Sequence, residues 1–272
     1  MAAHIPHALA GTVEHTWHLD RHSVCQQNAH GNCQNNGAVF SADSRYGAYT
    51  FESDEGLNTE ASGWYEHGQG NPLTNGDEFL KHWSGLSMDL ENDEGQPWHG
   101  IDNQGPDEFV VFEFDEAVSL QEFNLSYARE ARRSGNVTDV TVLYRDSAKA
   151  EHGVGALAGA DIEDITNTSI GYSVVGHWDA VGQNAPVNFA SLTENIFSKV
   201  WAIGAYIESL ASEGHMFGNP EGDAEGTPNA FKLKSISGVT SMRPPSQAVP
   251  APATFALILV GVLGMSRRRK TP

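Results

Sequence analysis

Runs of aromatic and β-branched residues, separated by clusters of Gly, Asn and Asp, dominate the middle of this chain. Residues 108–114 (Glu-Phe-Val-Val-Phe-Glu-Phe) form a nearly continuous apolar run of strand composition. Residues 118–127 alternate roughly apolar and polar, as expected of a half-buried strand, and Asp115-Glu-Ala between the two runs reads as a turn. After a polar break at 129–135, residues 136–144 (Asn-Val-Thr-Asp-Val-Thr-Val-Leu-Tyr) predict a third strand. Further strands are expected at 46–52, 61–65, 170–175, 199–207 and 230–236. Helical periodicity is sparse, and an Ala-rich stretch at 147–160 is the one short helix expected in the body. Residues 11–45 read as a poorly regular leader and 53–80 mostly as loop. Short strands with turn signals between them predict an all-β fold, an antiparallel β-sandwich of jelly-roll type.

The pattern changes at the C-terminus. Residues 240–252 form a linker rich in Pro, Ser and Ala. From Ala253 to Met265 thirteen residues carry no charge, and Arg267, Arg268, Arg269 and Lys270 follow close to the chain terminus. The run predicts a short hydrophobic helix. It is shorter than the roughly 20 residues of a comfortable membrane span, which fits a temporary handle better than a permanent anchor. The cations orient it, keeping the tail's end cytoplasmic and the rest of the chain outside.

Charge sharpens the division. The whole chain carries −19, but residues 243–272 hold five cations and no acid, so the first 242 residues carry 11 cations against 35 acids, a net −24. Such a body does not bind nucleic acid by counterion release, whereas it attracts divalent cations. The abundant Gly (28 residues), with Asn and Asp, is turn chemistry. The two cysteines, Cys25 and Cys33, are expected to close a small disulfide loop in an oxidising compartment. Residues 1–10 contain no apolar signal core, yet Ala8-Leu-Ala10 matches a signal-peptidase site, so this segment is expected to be the remnant of a signal peptide whose main part lies upstream.

The tail, Val249-Pro250-Ala251-Pro252 followed by the apolar run and the Arg/Lys cluster, resembles the PEP-CTERM sorting signal of Gram-negative bacteria. In that family the tetrad is Val-Pro-Glu-Pro, so Ala251 stands where the family has Glu. The resemblance implies an exosortase-type transpeptidase as partner, an inner-membrane intermediate, and final placement at the cell surface or in the extracellular matrix. The body, over about residues 45–240, more loosely resembles a family of exosortase-dependent surface proteins. The segments that carry this likeness are Trp98-His-Gly-Ile-Asp-Asn-Gln-Gly-Pro-Asp107, Val110-Val-Phe-Glu-Phe-Asp115, Val137-Thr-Asp-Val-Thr-Val142, Trp201-Ala-Ile-Gly-Ala-Tyr206 and Phe231-Lys-Leu-Lys-Ser-Ile-Ser-Gly238. It implies a β-sandwich displayed outside the cell, at residues 11–239, with no activity to carry over.

Candidate chemistry is thin. The acidic loop 89–107 offers Asp89, Glu91, Asp93, Asp102 and Asp107 as calcium ligands, but Gly95 falls one residue late for an EF-hand and Gly100 stands where its distal Glu belongs. The alternative is a solvated acidic loop. Six histidines crowd the first 30 residues, in a spacing that matches no standard zinc module. No Gly-x-Ser-x-Gly elbow, His-Glu-x-x-His or phosphate-binding Gly loop is present. Trp64, Trp83 and Trp98, at strand or loop edges, are candidate carbohydrate contacts, and Trp201 is expected in the core. The sequence thus points to an exported, non-catalytic surface or matrix protein associated with extracellular polysaccharide. The alternatives are a secreted polysaccharide-active enzyme and a simple tail-anchored adhesin.

Overall fold

The computed structural model describes residues 11–20, 39–40, 49–66, 72–76, 80–82, 85–88, 100–103, 107–130, 136–146, 157–218 and 229–242. Its strands are β1 (Thr12–His18), β2 (Val39–Phe40), β3 (Tyr49–Glu52), β4 (Asn58–Glu66), β5 (Leu73–Asn75), β6 (Leu80–His82), β7 (Leu86–Met88) and β8 (Ile101–Asp102). They continue with β9 (Glu108–Glu130), β10 (Val137–Arg145), β11 (Tyr172–Gly182), β12 (Val187–Asn188), β13 (Ser198–Ala205), β14 (His215–Phe217) and β15 (Asn229–Ser241). Among the described residues helix is limited to the single turn α1 (Ala190–Thr193) and two 3₁₀ turns, Ile162–Asp164 and Glu208–Leu210. The all-β expectation is met by one mixed sheet whose main path runs β14-β11-β10-β13-β9-β15-β7-β6.

The sheet is organised around β9, a strand of 23 residues. Its first half lies between β4 and β13, in registers such as Ala61↔Phe112 and Trp201↔Phe112. Its second half pairs with β15, from Val118↔Thr240 to Glu130↔Asn229. The expected turn at 115–117 is therefore corrected: the chain does not reverse there. Val200 pairs with Glu113 but Ser198 with Val118, so two steps along β13 match five along β9, and residues 114–117 bulge out of the β13 ladder while Phe114 still pairs with Thr59 of β4. Asp115 and Glu116 are exposed at this bulge. Their turn-like composition marks the place where β9 exchanges β4 for β15 as its neighbour, a usual job for a bulge.

Two apolar clusters result. Val110, Phe112 and Phe114 point into the larger one, with Trp17, Phe51, Trp201, Ile203, Phe231 and Leu233. Phe109 and Val111 point the other way, against Trp64, Leu143, Val200 and Ala202, and this face is covered by Leu157, Ile162, Ile165, Ile207 and Leu210. Burial on both faces explains why 108–114 reads as a continuous apolar run rather than an alternating one.

Three further expectations are corrected. Residues 11–20 are not an irregular leader. β1 pairs with β15, Trp17 donates its indole N–H to the Leu57 carbonyl at 2.9 Å, and the Leu19 amide donates to the Lys234 carbonyl at 2.7 Å. The short strand expected at 61–65 within the segment 53–80 is longer than expected, because β4 spans nine residues, Asn58–Glu66. Residues 157–160, the end of the expected helix, form a turn whose Gly159 and Ala160 exchange backbone hydrogen bonds with Leu73 of β5. Residues 147–156, Cys25, Cys33 and the whole tail 249–272 lie outside the described residues. No helix among the described residues is long and apolar enough to cross a membrane. The chain divides into a compact unit Val13–Thr240 and a second unit that joins Met1–Thr12 with Ser241–Pro272, in which the Met242 amide donates to the Gly11 carbonyl at 2.8 Å.

Candidate functional site

Of the residues proposed from sequence, Asp102 leads to the densest polar arrangement. It sits on β8, opposite Ala230 of β15, and is buried rather than part of a solvated loop. Its amide donates to Glu108 Oε2 at 3.1 Å. The neighbouring Asn103 and Asn229 bind each other: the Asn229 amide donates to Asn103 Oδ1 at 2.8 Å, and the Asn103 amide donates to the Asn229 carbonyl at 3.3 Å. Asn103 Nδ2 reaches the Tyr206 carbonyl at 3.3 Å, and Asn229 Oδ1 accepts from the Asp139 amide at 3.3 Å. Asp139 Oδ1 in turn accepts from the Ala180 amide at 2.8 Å, holding Ala180 at its positive φ of 53°. Glu130, also buried, is the register partner of Asn229.

The strands explain this knot. Glu108 begins β9 and Glu130 ends it, and β8, β10, β13 and β15 each deliver one end to the same place. A buried end of a ladder leaves amides and carbonyls without ladder partners, and the Asn and Asp side chains supply them. The arrangement thus ties strand ends together, using hydrogen bonds to charged or amide groups that are strong where water is excluded. Burial raises the Tyr206 phenol above its usual range, with Glu208 and Asp139 acting in the same direction.

The calcium proposal finds limited ground here. Asp107 is half-buried and accepts the Glu66 amide with its backbone carbonyl at 3.1 Å. Asp89, Glu91 and Asp93 lie outside the described residues. Among the described residues no group of three or more His, Cys, Asp or Glu side chains is arranged to hold a metal ion. The carbohydrate proposal is corrected at Trp64, which is 0 % exposed, belongs to the second apolar cluster, and donates its indole N–H to Ser62 Oγ at 3.0 Å. Its strand is covered on the face that edge position suggested would be open. Trp83 and Trp98 lie outside the described residues. Trp201 is in the core as expected, its N–H shared between the Val118 and Ser198 carbonyls at 3.0 and 3.2 Å.

A second polar device was not anticipated. His177 on β11 is 0 % exposed. Its Nε2 lies 3.1 Å from the Leu210 carbonyl, which only accepts, so Nε2 carries the proton. Its Nδ1 then accepts from Thr141 Oγ1 at 2.9 Å, and that oxygen accepts from the Ile207 amide at 3.1 Å. Burial pushes the imidazole pKa down, while the Leu210 and Glu213 backbone groups oppose that shift. The neutral ring, packed edge-on to Tyr206 at 5.3 Å, pins residues 207–210 onto the sheet. The expected strand at 170–175 stops one residue short of Gly176-His-Trp178, so a histidine counted as polar concealed the rest of β11.

No protein family, no curated protein and no solved structure matches the chain.

Proposed function

We propose that the chain is an exported, non-catalytic surface or matrix protein of a Gram-negative bacterium, delivered by its PEP-CTERM-like tail and associated with extracellular polysaccharide. The observation that carries this reading is the order of parts at the C-terminus. Val249-Pro250-Ala251-Pro252, a short uncharged run and Arg267-Arg-Arg-Lys270 follow a long acidic body. An apolar run of this length holds a membrane weakly, and a basic end fixes its direction. An exosortase-type enzyme cutting near the prolines then releases or transfers the body. The body is read as a jelly-roll sandwich, in which β9 passes from one layer to the other at the 114–117 bulge. The large acidic excess keeps it soluble and away from anionic lipid.

Fractionation of the native host tests this. The full chain is expected first in the inner membrane and then, shortened, at the surface or in the medium. A chain lacking residues 249–272 is expected to remain soluble in the periplasm. If the truncated form reaches the same compartment in the same form as the full chain, the sorting role is wrong.

A further inference from the structure

Residues 206–218 run from the end of β13 to the far end of β14 and form a strap along the edge of the sheet. The first part is packed: Tyr206, Ile207 and Leu210 are buried. From Ser212 to Gly218 every residue is exposed. That outer part holds to the sheet through little. β14 makes a parallel ladder of only three pairs with β11, Gly176↔His215, His177↔Met216 and Trp178↔Phe217, and parallel pairing is the slightly weaker kind. Phe217 stacks on Trp178 with ring centroids 5.1 Å apart and planes 12° from parallel. Gly214, at a φ of 66°, lets the chain pass close over β11, where a Cβ would meet the Val174 carbonyl at 2.9 Å. A short, exposed edge segment of this kind opens at far lower cost than the strands behind it.

The strap is tied at Leu210. Its carbonyl receives both the His177 Nε2 proton at 3.1 Å and the Glu213 amide at 2.9 Å. Beyond that point the Glu213 backbone and Met216 of β14 lie next to His177. The other ring nitrogen, Nδ1, accepts from Thr141 Oγ1, and that oxygen already accepts from the Ile207 amide. A second proton on the ring can go only to Nδ1. Thr141 Oγ1 then has to accept from both the ring and Ile207, and its own proton is left without an acceptor in a residue that is 0 % exposed. The charge is also cut off from water. The neutral ring fits the closed strap, and the protonated ring fits it badly.

The charged groups nearby do not offset this. Among the described residues the ring meets Tyr206, edge-on at 5.3 Å, a phenol whose pKa burial raises, with Glu208 and Asp139 acting in the same direction. Asp139 Oδ1 is turned to the Ala180 amide at 2.8 Å, and Asp179, two residues along β11, lies beside Gly218. Glu208, Glu213 and His215 are exposed on the strap, so water solvates them whether it is closed or lifted. Burial is the largest influence on His177, and it favours the neutral form. Lifting the outer strap removes the Glu213 backbone and β14 from beside the ring and lets water reach it.

We propose that residues 211–218 are an acid-released strap: protonation of His177 lifts them from β11, with Leu210 as the pivot, and uncovers Trp178 and the edge of β11. The device is independent of how the chain is delivered. Hydrogen exchange of the full chain in mild detergent, read by mass spectrometry at pH 7.5 and 5.5 and corrected for the intrinsic pH dependence of exchange, tests it. At both pH values the strap is expected to be less protected than β10 and β13, and low urea, which promotes global unfolding, is expected to leave its exchange unchanged. Its opening is expected to rise several-fold at pH 5.5, with about tenfold as the ceiling for one group whose pKa when open is about 6.5. His177→Gln keeps a donor and an acceptor but does not titrate, and is expected to abolish the rise; His177→Leu serves the same purpose if the first variant does not fold. His215→Gln is expected to keep the rise. Strap exchange that matches β10 and β13 in protection and urea dependence, that does not increase at pH 5.5, or that increases equally in the His177 variant would overturn the proposal. So would loss of the rise in His215→Gln.

Discussion

Replacing His177 by Leu removes a buried ring that bonds at both nitrogens while nearly conserving volume. The Thr141 hydroxyl loses its acceptor, since its oxygen already receives the Ile207 amide. A buried donor left without a partner costs about 1–3 kcal/mol. The Leu210 carbonyl loses one donor but keeps the Glu213 amide at 2.9 Å, a loss of about 0.5–1.5 kcal/mol. The sum, about 1.5–4.5 kcal/mol, corresponds to a fall in Tm of roughly 3–18 °C for a body of this size. Denaturant titration of the full chain and of His177→Leu measures it. The pair His177→Leu with Thr141→Val should be non-additive, because the two side chains form one chain of bonds.

Acid gives the same site an independent readout. Burial holds the His177 pKa below its unfolded value of about 6.5. Below that pH the unfolded chain binds a proton that the folded chain resists, so stability falls as pH falls, starting near 6.5 and ending at the folded pKa. From pH 8 to 5.5 this single group lowers stability by at most about 1.4 kcal/mol. The drop should be missing from His177→Leu, whose carboxylates titrate as before. Parallel stability–pH curves for the two proteins, or an unchanged midpoint at pH 8, would refute the relay.

Two other outcomes follow from the geometry. Trp201→Phe keeps most of the ring but strips the N–H shared by the Val118 and Ser198 carbonyls at the bulge. A loss of about 2–3 kcal/mol is expected in denaturant titration, and a loss below 1 kcal/mol would show that the bulge does not depend on this bond. If Asp89, Glu91 and Asp93 hold calcium together with Asp107, saturating calcium at about a hundred times its Kd should stabilise by about 2.7 kcal/mol. Melting in calcium against excess chelator reads this directly, and an unchanged midpoint removes calcium from the account.

The sequence revealed the strands whose composition is extreme. Val137–Arg145, Ser198–Ala205 and the first half of β9 stand out because burial on both faces demands β-branched and aromatic residues throughout. It hid β1 because its buried positions are only His15 and Trp17, with Leu19 just beyond its end. A histidine counts as polar, yet His15 is buried between Ser53 Oγ at 3.1 Å and Thr240 Oγ1 at 2.9 Å. It misread 115–117 because a bulge and a turn want the same exposed, acidic residues, and only the partner strands distinguish them. Trp64 looked like an edge residue because what covers it, the segment from Leu157 to Tyr172, lies about a hundred positions away. The edge at β14 was invisible for the opposite reason: three residues are too few for a period.

The same long-range pairings bear on how such a protein is made. β9 requires β4 before it and β13 and β15 after it, and His15 meets Thr240 across 225 positions. Contacts this distant must close large loops before they contribute, so the sheet forms late and slowly. Until β15 arrives, the second half of β9 has one side open, an exposed ladder that invites pairing between chains. β15 ends at Ser241, directly before the linker and the tail. In the proposed reading the tail therefore enters the membrane just as the last strand becomes available. A weak hydrophobic handle then keeps each incomplete body apart from its neighbours while β15 closes the sheet.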